Sequence, residues 1–262
     1  MASFDFDRFQ AALATRFIGR RLEHLATVTS TMDVARDLAA EPGSHGAVVL
    51  ADEQTAGRGR RGRSFYSPAG DNLYFTVVLR LPSIRASSLP LVVPLAAVEG
   101  VRIYCPSAAI KWPNDIWIGE RKCSGMLIDA QSNGSEISAL AGIGINVNGD
   151  PRHAPELADV ATSLALECGS SVPREIVLAG VLNNLESNLD DEPGRLLARY
   201  RQASNTVGRK VRVEPVTGEA FDGVAEDIDS RGALLVRMLS GELVPVEAAD
   251  VSLRHAPGLS PG

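Results

Sequence analysis

The sequence predicts an α+β fold, with a mixed or antiparallel sheet flanked by helices and a small C-terminal SH3-like β-barrel. Three observations lead there. Strand and helix patterns alternate only loosely up to residue 101. Four short strand patterns then follow one another with no helix between them. Past residue 203, short strands recur between turn clusters at the spacing of a small barrel. A length of 262 residues, 45% apolar and 22% charged, suffices for one large core and a minor one, and excludes a disordered, collagenous or coiled-coil plan.

Phe4, Phe6, Phe9, Leu13 and Phe17 recur at roughly helical intervals and predict a short amphipathic brace. Residues 25–31 read as a strand, and 32–40 as a helix with Ser30 or Thr31 as N-cap and Asp33 in its first turn. Residues 46–51 form a buried-strand run, 72–81 a second strand, and 89–101 a helix entered near Pro90. Segments 109–112, 115–118, 123–130 and 137–147 are successive strands divided by Pro-Asn, Gly-Glu and Asn-Gly turns. A helix starting at Pro173 carries Ile176, Leu178, Val181, Leu182, Leu185 and Leu189, and its apolar face resumes at Leu196, Leu197 and Tyr200 after an Asp-Glu-Pro-Gly break. Residues 207–253 hold the barrel strands, and the final Pro-Gly-Leu-Ser-Pro-Gly reads as a tail.

The balance of 26 Lys and Arg against 32 Asp and Glu leaves a formal charge of -6, the wrong sign for general nucleic-acid coating, so any anion site must be local. The three cysteines, Cys105, Cys123 and Cys168, cannot all pair within one chain and form no Cys-x-x-Cys motif, which fits a reducing, cytoplasmic setting. The first residues lack the apolar run of a signal peptide, and no apolar stretch reaches the ~20 residues that span a bilayer.

The densest signal is Gly57-Arg58-Gly59-Arg60-Arg61-Gly62-Arg63-Ser64, four arginines in an otherwise acidic chain. It matches a dinucleotide fingerprint literally and a phosphate-binding P-loop within one residue. Both motifs need a helix immediately downstream, and here Pro68, Gly70 and a strand follow. A loop whose glycines let backbone N–H groups approach an anion, while guanidinium forks take its oxygens in pairs, fits better. The competing reading is a surface loop without a specific ligand. Lys111-Trp112-Pro113-Asn114-Asp115 comes next, a stiffened strand end and turn from which Lys111 and Asp115 face one site or merely form an exposed ion pair. Lys122 and Gly125 on the following strand, and Gly142 to Asn146 on the one after, have the same double character, since a strand glycine admits close approach and a lysine commonly guards an edge.

Taken together, these segments resemble the biotin–protein ligase family in order and spacing, most specifically over residues 29–147. The resemblance implies an ATP-dependent biotin–[acetyl-CoA-carboxylase] ligase. Such an enzyme would activate biotin to biotinyl-5′-AMP and then transfer biotin to one lysine of a biotin carboxyl carrier protein domain. It implies a catalytic domain at 1–204, an SH3-like C-terminal domain at 205–256 and a tail at 257–262. ATP and biotin enter as substrates, with Mg²⁺ expected beside them. Lys122, Arg58, Lys111 and Asp115 would be the catalytic set, Lys122 at the activated carboxyl and α-phosphate and Asp115 positioning the acceptor amine. Ser30, Thr31, Met32, Gln54, Gly57, Arg58, Gly59, Arg60, Lys122, Gly125 and Leu127 would bind biotin, and Arg60, Arg61, Arg63, Phe65, Lys111, Asn114 and Asn146 would bind ATP. No metal ligand is assigned.

Met32 stands where the family usually has asparagine, Phe65 where it often has tryptophan, and Asp129 near a position that is often glutamate. Some members carry a DNA-binding domain ahead of the Ser-Thr pair. Only 29 residues precede Ser30, so the monofunctional type without that domain, and no nucleic-acid partner, is expected. No membrane partner is expected, and a homodimer through an exposed sheet edge is admitted by analogy. The alternative reading is a lipoate–protein ligase or related acyl-adenylate-forming acyltransferase. An RNA-binding module is disfavoured by the acidic charge and 5% aromatic content.

Overall fold

Two sheets and seven α-helices organise the residues that the computed structural model describes, 4–133, 135–247 and 249–253. The N-terminal helix α1 (Phe6–Ala12) is capped by the Asp5 carboxylate and stops at the extended Leu13, so Phe17 lies beyond it. The larger sheet contains β1 (Leu22–Val28), β2 (Val48–Gln54), β3 (Leu73–Pro82), β4 (Ala109–Lys111), β5 (Asp115–Ile118), β6 (Arg121–Asn133) and β7 (Glu136–Ile145), in the order β1-β2-β3-β7-β6-β5-β4. β1 and β2 are parallel, which requires a crossover, and α2 (Thr31–Ala39) supplies it; all other neighbours are antiparallel. The sheet is mixed, as expected.

Period-two alternation divides this sheet into two faces. On β3, Leu73, Phe75, Val77 and Leu79 enter the main core, as do Ala139, Ala141, Ile143 and Ile145 on β7. That core lies under α4 (Leu89–Arg102), which follows the single turn α3 (Ser83–Ala86), and α6 (Arg174–Leu189), which follows the short α5 (Leu164–Cys168). On the opposite face the helix that packs, among the described residues, is α2, through Met32, Ala35 and Leu38 against Val49, Val78 and Leu140. A single nine-residue helix cannot cover seven strands, and the uncovered part of this face is where the candidate site forms.

The C-terminal sheet corrects an expectation. After α7 (Pro193–Ala203), strands β8 (Lys210–Pro215), β9 (Phe221–Ile228), β10 (Leu234–Met238), β11 (Leu243–Val246) and β12 (Ala249–Leu253) pair in the order β11-β10-β9-β8-β12. β11 bonds only to β10 and β12 only to β8, so among the described residues the sheet stays open and is not an SH3-like barrel. Turn spacing reports the number of strands, but closure depends on tilt and stagger, which spacing does not encode. The apolar face is buried by another route: Val211, Val213, Ala225, Leu234 and Val236 join the core that contains Leu196 and Tyr200 of α7. The expected tail at 257–262 lies outside the described residues.

The sheets are fastened together at Trp112, 2% exposed, whose indole N–H donates to the Gly232 carbonyl at 2.8 Å and whose backbone N–H donates to the Thr206 hydroxyl at 3.0 Å. On the far side, His45 stacks on Phe17 with centroids 4.7 Å apart and accepts the Arg80 backbone N–H at 3.0 Å through Nδ1. Burial lowers its pKa from the ordinary 6.5. The folded state therefore prefers neutral His45, and its contribution to stability, fully present above pH 6.5, is lost as pH falls through the lowered folded value. The urea midpoint should drop between pH 7 and 5, and less steeply in His45→Asn; identical slopes would remove His45 as the cause.

Candidate active site

The uncovered face carries almost no side-chain bulk on β7, because its outward positions there are Gly142 and Gly144. Across the ladder, Gly144 pairs with Gly125 and Gly142 with Leu127. Asp115 pairs with Gly125 and Lys111 with Asp115, so Lys111, Asp115 and Gly125 share this face. Lys122, three residues before Gly125, would point away in a regular strand. One extra residue on β6, where the register shifts opposite Ile116 and Trp117, turns it back. Cys123 is consequently sunk into the core, where burial pushes its thiol pKa up and keeps it protonated, unfit as a nucleophile.

The arginine loop folds over this floor as a tight hairpin, with Gly59 N–H donating to Arg63 C=O at 2.7 Å and Phe65 N–H to Gly57 C=O at 2.9 Å. Arg61 adopts the left-handed conformation, φ 56°. The Arg58 guanidinium takes both carboxylate oxygens of Asp33, each at 2.8 Å, tying the loop to the first turn of α2, while Arg60 donates to Asn114 Oδ1 at 3.3 Å. Asn114 in turn donates its side-chain amide to the Met126 carbonyl. The Phe65 ring lies directly on the floor. A Cβ added to Gly144 would come within 2.4 Å of it, and one on Gly125 within 3.2 Å.

The result is a cavity of about 390 Å³ lined, among the described residues, by Arg58, Arg60, Arg63, Lys111 and Lys122 and by the carboxylates of Asp115 and Glu214. Lys122 Nζ sits 2.7 Å from Asp115, and Lys111 Nζ lies 4.7 Å from the Trp117 ring centroid. At the α2 end the lining turns neutral. Ser30 caps α2 by accepting the Met32 N–H. The Gln54 amide oxygen accepts from Thr31 N–H (3.0 Å) and hydroxyl (3.2 Å) while its NH₂ donates to Ser67, and the Thr31 hydroxyl meets that of Thr76 at 2.8 Å. Met32 packs flat against β7, so that a Cβ on Gly142 would sit 3.1 Å from its sulfur. One end of the cavity thus suits an anion and the other a neutral, hydrogen-bonding, partly apolar group.

Ser30, Thr31, Met32, Gln54, Arg58, Gly59, Arg60, Arg63, Phe65, Lys111, Asn114, Asp115, Lys122, Gly125 and Leu127 all line this cavity. Three expected residues lie off it. Gly57 sits behind the loop, where a Cβ would strike the Phe65 carbonyl at 2.4 Å. The Arg61 guanidinium reaches out to the Glu214 carbonyl at 3.2 Å. Asn146 lines a smaller neighbouring pocket of about 130 Å³, shares Ser64, Phe65 and Lys122 with the main cavity, and donates to the Thr162 carbonyl at 3.0 Å. Sequence reasoning missed Thr76, although a lone threonine inside an apolar strand signals a satisfied polar contact, and it missed Glu214 and Val251, which only tertiary folding brings there. Among the described residues no three carboxylate, thiol or imidazole groups converge as a cation cage, so an Mg²⁺ here would be held by the ATP phosphates with one or two carboxylates rather than by the protein alone.

Comparison with known proteins decides what this geometry belongs to. Residues 25–148 match the model of the biotin/lipoate A/B protein ligase family and residues 206–254 that of the biotin protein ligase C-terminal domain. The chain is 37% identical over 243 residues to a biotin–[acetyl-CoA-carboxylase] ligase of Paracoccus denitrificans, covering 87% of this chain and 98% of that protein. It belongs to the biotin/lipoate A/B protein ligase family. The ligase is also 33% identical over 252 residues to the bifunctional ligase/repressor BirA of Bacillus subtilis, covering 92% of this chain and 76% of BirA. Its fold superposes with a TM-score of 0.73 on a biotin protein ligase from Aquifex aeolicus in complex with biotin and ATP, 28% identical, covering 90% of this chain and 100% of the other.

Proposed function

We infer that this cavity is where the ligase joins biotin to ATP and from which it passes biotin to a protein lysine. ATP and biotin are its substrates. The observation that carries the reading is the convergence of Arg58, Lys111 and Lys122, from three separate segments, on one cavity whose other end offers Thr31 and Gln54. In the first step the biotin carboxylate oxygen bonds to the α-phosphorus of ATP and pyrophosphate leaves. Two anions meet there, and preorganised cations lower the barrier. Lys122 faces the carboxylate and α-phosphate, with Lys111, Arg58, Arg60 and Arg63 around the phosphates and Arg61 at the rim. Phe65 stacks with Asn114 and Asn146 about the nucleotide. Ser30, Thr31 and Gln54 meet the ureido ring, and Met32, Gly59, Gly125 and Leu127 shape the wall beside it, with Gly57 supporting the loop from behind.

In the second step the acceptor ammonium loses one proton to water. Its nitrogen bonds to the acyl carbon as the bond to the phosphate oxygen breaks, AMP leaves with the electron pair, and a second proton follows to water. An anionic adenylate competes with Asp115 for Lys122 across 2.7 Å. Asp115 is then released to orient the amine. The acceptor is a biotin carboxyl carrier domain, served by a catalytic domain at 1–204 with 205–256 beside it.

Purified protein given ATP and radiolabelled biotin should label a carboxyl carrier domain at one lysine, and lipoate in place of biotin should give under about one hundredth of that rate, since the ureido hydrogen bonds go unmade. Equal rates would favour the lipoate alternative, and no label with either acid would defeat the reading.

A further inference from the structure

The second step brings a different charge to the cavity from the first. The acceptor of biotin arrives there as a cation itself, a lysine ammonium, at a lining that already holds Arg58 on Asp33 and Lys122 on Asp115. Of the two lining carboxylates among the described residues, Asp115 is engaged by Lys122 at 2.7 Å. The other is Glu214, near the end of β8 in the C-terminal sheet. Strand alternation turns it outward, since Val213 beside it is fully buried while Glu214 is exposed. Its backbone is pinned to the arginine loop through the Arg61-to-carbonyl hydrogen bond of 3.2 Å. Its carboxylate, in contrast, makes no hydrogen bond or ion pair among the described residues. A carboxylate left without a partner beside guanidinium and ammonium groups, on the solvent side of the cavity, is available to an incoming cation.

We propose that Glu214 receives the ammonium of the acceptor lysine at the cavity mouth and thereby helps select protein segments that present an exposed lysine. This rests on the ligase reading. Glu214 is a positioning residue of the transfer step. It draws the ammonium to the mouth, and the amine then moves inward to the acyl carbon. Because the attraction acts between exposed charges, it is modest and screened by salt.

The test uses the full chain, ATP, biotin and a purified carboxyl carrier domain, and measures adenylate formation and transfer separately. Glu214→Gln should raise KM for the carrier about fivefold at low salt, the effect of one exposed charge pair, with kcat and adenylate formation little changed. Glu214→Lys should raise it by about tenfold or more, through like-charge repulsion. Both differences should shrink towards unity as salt approaches about 1 M, where screening acts within ~3 Å. Glu214→Asp should recover part of the loss. An unchanged KM in both Glu214→Gln and Glu214→Lys at low salt overturns the proposal, as does a salt-independent loss shared equally by both steps. A wild-type chain that forms no biotinyl adenylate would instead sink the ligase reading itself.

Discussion

Lys122→Ala should slow biotinyl-adenylate formation by about 10²–10³-fold, the usual cost of deleting one preorganised group that meets developing charge. Two effects combine. The ammonium proposed to face the α-phosphate is gone, and the Asp115 carboxylate, 2.7 Å away, is left as an uncompensated negative charge in the place the substrate anion must enter. Lys122→Ala with Asp115→Ala should therefore recover part of the loss, whereas two independent effects would multiply. Lys122→Arg should fall between wild type and Lys122→Ala, because the Lys122 ammonium lies 2.9 Å from where a Gly125 side chain would begin and a planar fork is too broad for that space. Single-turnover measurement without carrier protein isolates the step. Wild-type rates in Lys122→Ala would remove Lys122 from the chemistry.

Gly144→Ala should have the second largest effect, and through a different cause. Its new methyl group would overlap the Phe65 ring, 2.4 Å away, and β7 cannot retreat because β3 and β6 hold it on both sides. Phe65 must leave the floor. KM for ATP should rise tenfold or more, about the worth of an aromatic stacking contact of 1–3 kcal/mol, and stability should fall by about 1–3 kcal/mol from overpacking. In a Phe65→Ala background the same glycine substitution should cost little stability, since the clash has been removed. A stability loss unchanged in that background would show that the strand backbone, and not the ring, sets the requirement for glycine.

Much of this site was legible because its chemistry is concentrated in local motifs. The arginine loop, Lys111 with Asp115, and the strand glycines each announce a close approach or a charge, and they are close to one another in space because consecutive antiparallel strands lie side by side. The facing of Lys122 was legible only in outcome. A regular strand would have pointed it elsewhere, and the extra residue that corrects it leaves no mark in the text. Glu214 and Thr76 enter through register and domain contact, which no local pattern carries. Closure of the C-terminal sheet was misjudged for a related reason. Strand count is a property of the chain, while the pairing of β11 and β12 with each other would be a property of three-dimensional stagger.

Trp112 bears on how far this enzyme can be pared down. Its ring is roofed by the Gly232 carbonyl, and it belongs to the same five-residue motif that supplies Lys111 and Asp115. Deleting everything after α7 would strip that roof, leave a large aromatic surface in water and loosen the strand end from which both groups project. Residues 204–253 therefore act as scaffolding for a reaction centre they also help to line through Glu214 and Val251, and a shortened biotinylating reagent built by truncation would lose rigidity at the point where the chemistry needs it most.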